Sequence, residues 1–165
     1  MQLFDAMKAL SWISYLFTPL IFLIKVSVLS LIIYTGVFFY DKQKEITMGM
    51  VFNTVIASEV IIILGTVSKL LWFIFFAESY TLNDLNFFYP LSLINLFRQS
   101  EVASYWIYPL QTVSLFQVLY ILMLATGLSK ISCVRREISD KIILATYIPA
   151  LVFWVALIMF LTIDN

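Results

Sequence analysis

The run PLIFLIKVSVLSLIIYTGVFFY, residues 19–40, carries one charge, Lys25, in a stretch long enough to cross a bilayer as helix. About 20 consecutive apolar residues are needed to span ~30 Å of hydrocarbon. Three further segments reach that length: 47–77, centred on FNTVIASEVIIILGTVSKLLWFIFF; 106–129, WIYPLQTVSLFQVLYILMLATGLS; and 142–162, IILATYIPALVFWVALIMFLT. The runs are continuous rather than alternating, which argues against lipid-facing strands, and a barrel needs more chain. Composition agrees. Of 165 residues, 62% are hydrophobic and 12% charged, with a mean hydropathy of +0.99, against about 25% charged in a soluble domain. Lipid must therefore cover part of the surface. The expected fold is all-α: a polytopic transmembrane helix bundle forming a single membrane domain over 1–165, with four full spans plus interfacial or re-entrant helices.

Three segments complicate a plain four-span count. Residues 1–18 set Phe4, Leu10, Trp12, Ile13, Leu16 and Phe17 against Asp5, Lys8 and Ser11, which predicts an interfacial helix ending where Pro19 opens the first span. The second span, 47–77, is about 46 Å long as helix and should tilt or protrude. Residues 87–97 are apolar but too short to cross, so a short interfacial or re-entrant helix is expected there.

Basic residues in short loops set orientation. Loop 130–141 carries Lys130, Arg135, Arg136 and Lys141, and hairpin 41–46 carries Lys42 and Lys44. Loop 78–105 has only Arg98, against Glu78, Asp84 and Glu101. The first two are predicted to be cytoplasmic, and 78–105 and the C-terminus, with Asp164, external. Four spans also place the N-terminus outside. Lys8 and Lys25 favour the opposite side, and 9–40 is long enough to hold a hairpin broken near Pro19. No cleavable leader is expected, since Asp5 stands where a basic region should be and no small-residue cleavage site follows the first apolar run.

Tyr-Pro-Leu occurs twice, at 89–91 in FYPLSLINLF and at 108–110 in IYPLQTVSLF. Proline is best tolerated in the first helical turn, and tyrosine favours the headgroup level. Both copies therefore read as helix starts at the external surface. The second runs on to span, whereas the first stops at Arg98 with a predicted apolar face of Leu91, Ile94 and Phe97 beside Leu93. Tyr89, Pro90, Leu91, Ile94, Phe97 and Arg98 are the candidate partner surface.

Ionisable groups inside spans are costly, at about 2.5–3.5 kcal/mol each on insertion scales, so each calls for a partner. Lys25 lies 18 residues before Gln43, the centre of the first hairpin, and Glu59 lies 16 after it. Antiparallel helices bring the two to nearly the same depth, so a Lys25–Glu59 ion pair is expected if their faces meet. Otherwise Lys25 snorkels to the headgroups and Glu59 stays protonated or faces a wet crevice. A third reading makes Glu59 a proton or cation site, with Asn53, Ser58, Thr66 and Gln117 nearby. Lys69 reads as an interfacial anchor, Trp12, Trp72 and Trp106 as aromatic belts, and Ala57, Gly65, Ala125 and Gly127 as close-packing positions.

The sequence gives no reason to expect an enzyme or a cofactor. It has no histidine, no Gly-rich phosphate loop, no metal-ligand cluster and no paired carboxylates in one span. Ten basic and ten acidic residues cancel, so no field points to nucleic acid. The single Cys133 cannot form an internal disulfide.

Residues 114–161, SLFQVLYILMLATGLSKISCVRREISDKIILATYIPALVFWVALIMFL, resemble the C-terminal half of the Yip1-like membrane protein family. Leu115, Phe116, Leu124 and the turn-like Gly127, Leu128 and Ser129 carry the match, and TPLIFL at 18–23 is similar to the start of the family's first span. About a third of the chain is covered. The resemblance implies a bundle of about five helices, a cytosolic N-terminus and an external C-terminus, and in eukaryotes trafficking roles with small GTPases. No long polar region precedes the first span here, so a GTPase partner is not carried over. The family's middle helix would have to be 87–97 or be missing.

The expected role is a non-catalytic integral membrane subunit or scaffold of a larger assembly, Yip1-like, in a bacterial inner membrane. Its partners are the lipid bilayer and another membrane protein or further copies of itself. The alternative is a small transporter or ion-coupled carrier component using Glu59 and Lys25.

Overall fold

The structure, a computed structural model, describes residues 2–40, 46–76, 80–132 and 135–163, with side chains from Phe17 onward except that of Ser132. The hairpin residues 41–45, Cys133, Asp164 and the side chains of the amphipathic stretch up to Leu16 lie outside the described residues. All described elements are helical apart from one isolated bridge. Six α-helices follow in order: α1 Gln2–Tyr40, α2 Met48–Phe75, α3 Leu82–Phe87, α4 Ser104–Thr112, α5 Leu115–Ser132 and α6 Arg136–Ile163.

Among the described residues, three helical segments are long and apolar enough to cross a membrane: Phe17–Tyr40 within α1, Met48–Phe75 and Arg136–Ile163. They correspond to the first, second and fourth of the four spans expected from the sequence, whereas the third is broken. Residues 106–129 divide between α4 and α5, and the apolar part of α5, Leu115–Ile131, is about 26 Å long, short of a complete crossing. The two pieces nonetheless follow one path along α6. Gln117 and Tyr120 meet Tyr147, and Tyr108 meets Trp154 about two turns further along α6.

Residues 1–18 are not a separate helix ending at Pro19. The helix runs through this proline, as it does through Pro149 in α6. An interior proline costs about 3 kcal/mol in water. In hydrocarbon, breaking the helix leaves several backbone groups unpaired, so continuing is cheaper.

The bundle is antiparallel. Along α2 and α5, Thr54 lies against Gly127, Glu59 against Tyr120 and Gly65 against Phe116, so position falls on one helix as it rises on the other. The core is built from helical stripes: Val26, Leu29, Ile33 and Val37 on α1, Val51 and Val55 on α2, Tyr120, Leu124 and Leu128 on α5, and Ile142, Ile143 and Tyr147 on α6. Large side chains on the outer faces, such as Ile21, Ile63, Phe75 and Phe153, are exposed in the isolated chain, as lipid-facing positions are. Several serine and threonine hydroxyls in the spans return to their own helix: Ser30 donates to the Val26 carbonyl at 2.7 Å and Ser58 to that of Thr54 at 2.9 Å.

The segment joining α2 to α4 folds back against the bundle. Phe88 stacks on Trp72, with ring centroids 5.6 Å apart, and meets Phe73 edge-on. Tyr-Pro-Leu 89–91 does not start a helix. Leu91 takes φ 53, a left-handed turn that prevents helix from following Pro90, and only a short 3-10 turn, Leu93–Leu96, comes next. The second copy does not start one either, since α4 begins at Ser104 and holds Pro109 inside it.

Gly65 lets this segment approach. A Cβ there would lie 2.5 Å from the Tyr89 hydroxyl and 3.0 Å from the Phe116 ring. Gly65→Ala is expected to lower stability by about 1–3 kcal/mol in thermal unfolding in mild detergent. Adding Tyr89→Phe should recover part of the loss by removing the nearer clashing atom.

Helix α3 opens with a capping box. Asp84 Oδ2 accepts from the Thr81 backbone N–H and hydroxyl, both at 2.8 Å, and Thr81 Oγ1 accepts from the Asp84 N–H at 3.3 Å. The backbone and hydroxyl bonds from Thr81 hold the Asp84 carboxyl below its ordinary 3.8. A lowered folded pKa gives stability that is present above the ordinary value and lost as pH falls through the depressed one. The protection of the α3 amides, measured against their intrinsic exchange rate at each pH, should therefore fall only on acidification below the usual aspartate range. Asp84→Asn should show the lower protection at neutral pH.

Candidate functional site: a buried polar cluster and a covered helix break

Glu59 sits 11 residues into α2, about 17 Å from its start and close to the middle of a ~30 Å hydrocarbon layer. It is only 2% exposed. The structure brings Lys25 and Glu59 together: Lys25 Nζ lies 2.7 Å from Glu59 Oε2. The other oxygen, Oε1, accepts from the Tyr120 hydroxyl at 2.9 Å. Both carboxylate oxygens are thus engaged, by α1 on one side and α5 on the other.

The cluster continues onto α6. The rings of Tyr120 and Tyr147 lie 5.5 Å apart, and Gln117 Nε2 donates to the Tyr147 hydroxyl at 2.5 Å. Four helices therefore contribute to one contiguous polar group inside an apolar core. The environment is asymmetric, because the Lys25 side chain is 52% exposed on the outer face of the bundle while its partner is buried. An ammonium there keeps donors facing outward.

The other polar residues named beside Glu59 are dispersed. Ser58 and Thr66 satisfy their own helix, at Thr54 and Ile62. Asn53 is exposed near the opposite end of the α2–α5 seam. Only Gln117 joins the cluster, through Tyr147. Tyr120 and Tyr147 were not singled out by sequence reasoning, although a mid-span tyrosine needs a partner for its hydroxyl and is a usable signal.

The second constructed feature is the break in the third crossing. Leu93 N–H donates to the Val113 carbonyl at 3.0 Å and Leu115 N–H to the Leu91 carbonyl at 2.9 Å, an antiparallel bridge between Ser92 and Ser114. Ser114 also caps α5, its hydroxyl accepting from the Gln117 N–H at 3.2 Å. Gln111 Nε2 reaches across to the carbonyls of Asn86 and Phe87, at 2.6 and 2.8 Å. The folded-back segment therefore supplies partners that the interrupted helix lacks, which is how irregular backbone is tolerated at membrane depth.

The candidate partner surface is divided by this arrangement. Pro90 is buried and Ile94 fully so, Tyr89 is half-buried against Gly65 and Phe116, and Leu91, Phe97 and Arg98 are exposed. Leu91, Ile94 and Phe97 do not form one face as expected, because the helix that would align them is absent. Gly127, Leu128 and Ser129 do not form a turn either. They lie inside α5, where Gly127 passes Thr54 closely and Leu128 is core.

No cluster of three or more potential metal-ligating side chains occurs among the described residues. Comparison with protein families, with curated proteins and with solved structures finds no match for this chain.

Proposed function

We propose that the chain is a non-catalytic integral membrane subunit or scaffold, Yip1-like, residing in a bacterial inner membrane and working by helix packing with another membrane protein or with further copies of itself. The observation that carries this reading is the closure of Glu59. Its oxygens are taken by Lys25 and Tyr120 and its exposure is 2%, which suits a lock between helices better than a site that loads and releases an ion. The outward donors of Lys25 and the exposed Leu91, Phe97 and Arg98 offer polar and apolar anchors to a neighbouring span. In this reading the α1–α2 and α5–α6 connections face the cytoplasm, and loop 78–105 and the C-terminus face outward.

The broken third crossing favours a second reading, a small transporter or ion-coupled carrier component using Glu59 and Lys25, since interrupted helices commonly line substrate sites. Purification in gentle detergent followed by flux assays on the reconstituted assembly separates the two. A scaffold retains its co-purifying partner and any flux in Glu59→Gln, and loses the partner when Leu91 and Phe97 are made polar. Loss of flux in Glu59→Gln with the assembly intact would establish the carrier reading instead.

A further inference from the structure

We propose that the crevice between α2 and α5, at the end of the bundle carrying Lys130, binds an anionic phospholipid, with the phosphate at Lys130 and Asn53 and an acyl chain along the groove. The crevice has a volume of about 310 Å³ and is lined by Met50, Asn53 and Ala57 from α2 and by Met123, Gly127 and Lys130 from α5. Its polar groups lie at one end. Lys130 stands in the last turn of α5 and Asn53 five residues into α2, about 8 Å along that helix, so both fall at headgroup level when the rest of the groove lies in hydrocarbon.

The floor is apolar for a structural reason. Thr54 and Ser58 also border it, but their hydroxyls donate to the carbonyls of Met50 and Thr54 in their own helix, leaving the groove methyl groups, thioethers and the bare backbone of Gly127. Such a surface takes a hydrocarbon chain and offers nothing to a hydrated solute. At the mouth the balance reverses. Lys130 has no acidic partner among the described residues, and Arg135 and Lys141 are exposed nearby in sequence, whereas Arg136 lies 3.9 Å from Asp140. A lipid phosphate supplies a negative charge for Lys130 and an acceptor for the Asn53 amide. Basic pockets between helices at a bilayer surface bind anionic headgroups on this principle.

The test uses the purified full chain in mild detergent, titrated with phosphatidylglycerol, phosphatidylcholine or inorganic phosphate and read by native mass spectrometry and melting temperature. Phosphatidylglycerol is expected to bind and stabilise more strongly than phosphatidylcholine, and inorganic phosphate to do neither. Lys130→Gln should weaken phosphatidylglycerol about fivefold, from roughly 1 kcal/mol for one basic residue near the surface, and Lys130→Arg should restore it. Ala57→Phe, which fills the groove without touching charge, should reduce retention of both lipids. The proposal is overturned if the two lipids bind equally, if phosphate alone matches phosphatidylglycerol, or if Lys130→Gln leaves the preference unchanged while circular dichroism shows the variant folded.

Discussion

Replacing Lys25 with methionine is expected to destabilise the folded bundle by about 3 kcal/mol, the low end for removing one partner of a buried ion pair. Methionine nearly matches the length of the lost side chain, so packing changes little. The effect comes from Glu59, which is 2% exposed and has no other cation within salt-bridge distance among the described residues. Left with only the Tyr120 hydroxyl, the buried carboxyl group has lost its counter-charge, and an uncompensated buried group of this kind is what weakens the fold. The reciprocal change is milder. In Glu59→Gln the amide oxygen still accepts from Tyr120, and the half-exposed Lys25 is free to swing along the outer face of α1 toward the headgroups, for a cost of about 1–2 kcal/mol. Reversible unfolding of the purified protein in bicelles, comparing the two variants, checks this asymmetry. Equal losses would mean that Lys25 is as confined as Glu59.

Leu93→Pro should be at least as damaging, at about 3 kcal/mol or more. Leu93 is half-exposed, so its side chain explains little. Its N–H, however, donates to the Val113 carbonyl at 3.0 Å, and Val113 closes α4 just before the break. Proline removes that donor and leaves a carbonyl facing hydrocarbon, while the paired bond from Leu115 to Leu91 depends on the same alignment. Leu91→Gly should act in the opposite direction. The φ of 53 at Leu91 costs a side-chain-bearing residue about 1–2 kcal/mol, which glycine avoids. Pairing can be checked independently of stability. Residues opposed across an antiparallel bridge have Cα atoms about 4.5–5.5 Å apart, within disulfide range, so Ser92→Cys with Ser114→Cys, in a Cys133→Ser background, should cross-link on mild oxidation.

The long helices were legible because lipid demands unbroken apolar runs, and such runs are visible in sequence without any knowledge of packing. The meeting of Lys25 with Glu59 was also within reach, since hairpin length alone puts them at one depth, although only the tertiary structure decides whether their faces meet. The break at Val113–Ser114 was not legible. Nothing in TVSLFQ interrupts the apolar run, and the cost of breaking a helix there is met by Ser92, twenty-two positions earlier. A local cue did exist: Ser114 is an N-cap residue standing before Leu115 and Phe116, but inside a span a serine more often bonds its own helix, as Ser30 and Ser58 do. Tyr-Pro-Leu misled for a related reason. Proline allows a helix start without requiring one, and at Pro90 the next residue turns left-handed while at Pro109 the helix is already under way. Pro19 shows the converse, a breaker overridden because its surroundings offer no water to the freed carbonyl.

A double-mutant cycle on Lys25 and Glu59 in bilayer-like bicelles tests most directly whether the cluster locks the helices together. If it does, Lys25→Met combined with Glu59→Gln will be more stable than Lys25→Met alone, because the buried acid that lost its cation is gone, and the coupling energy will be about 1.5 kcal/mol or more. Losses that add to within about 0.5 kcal/mol would mean that the two side chains do not depend on each other, and the locked-bundle account would be wrong.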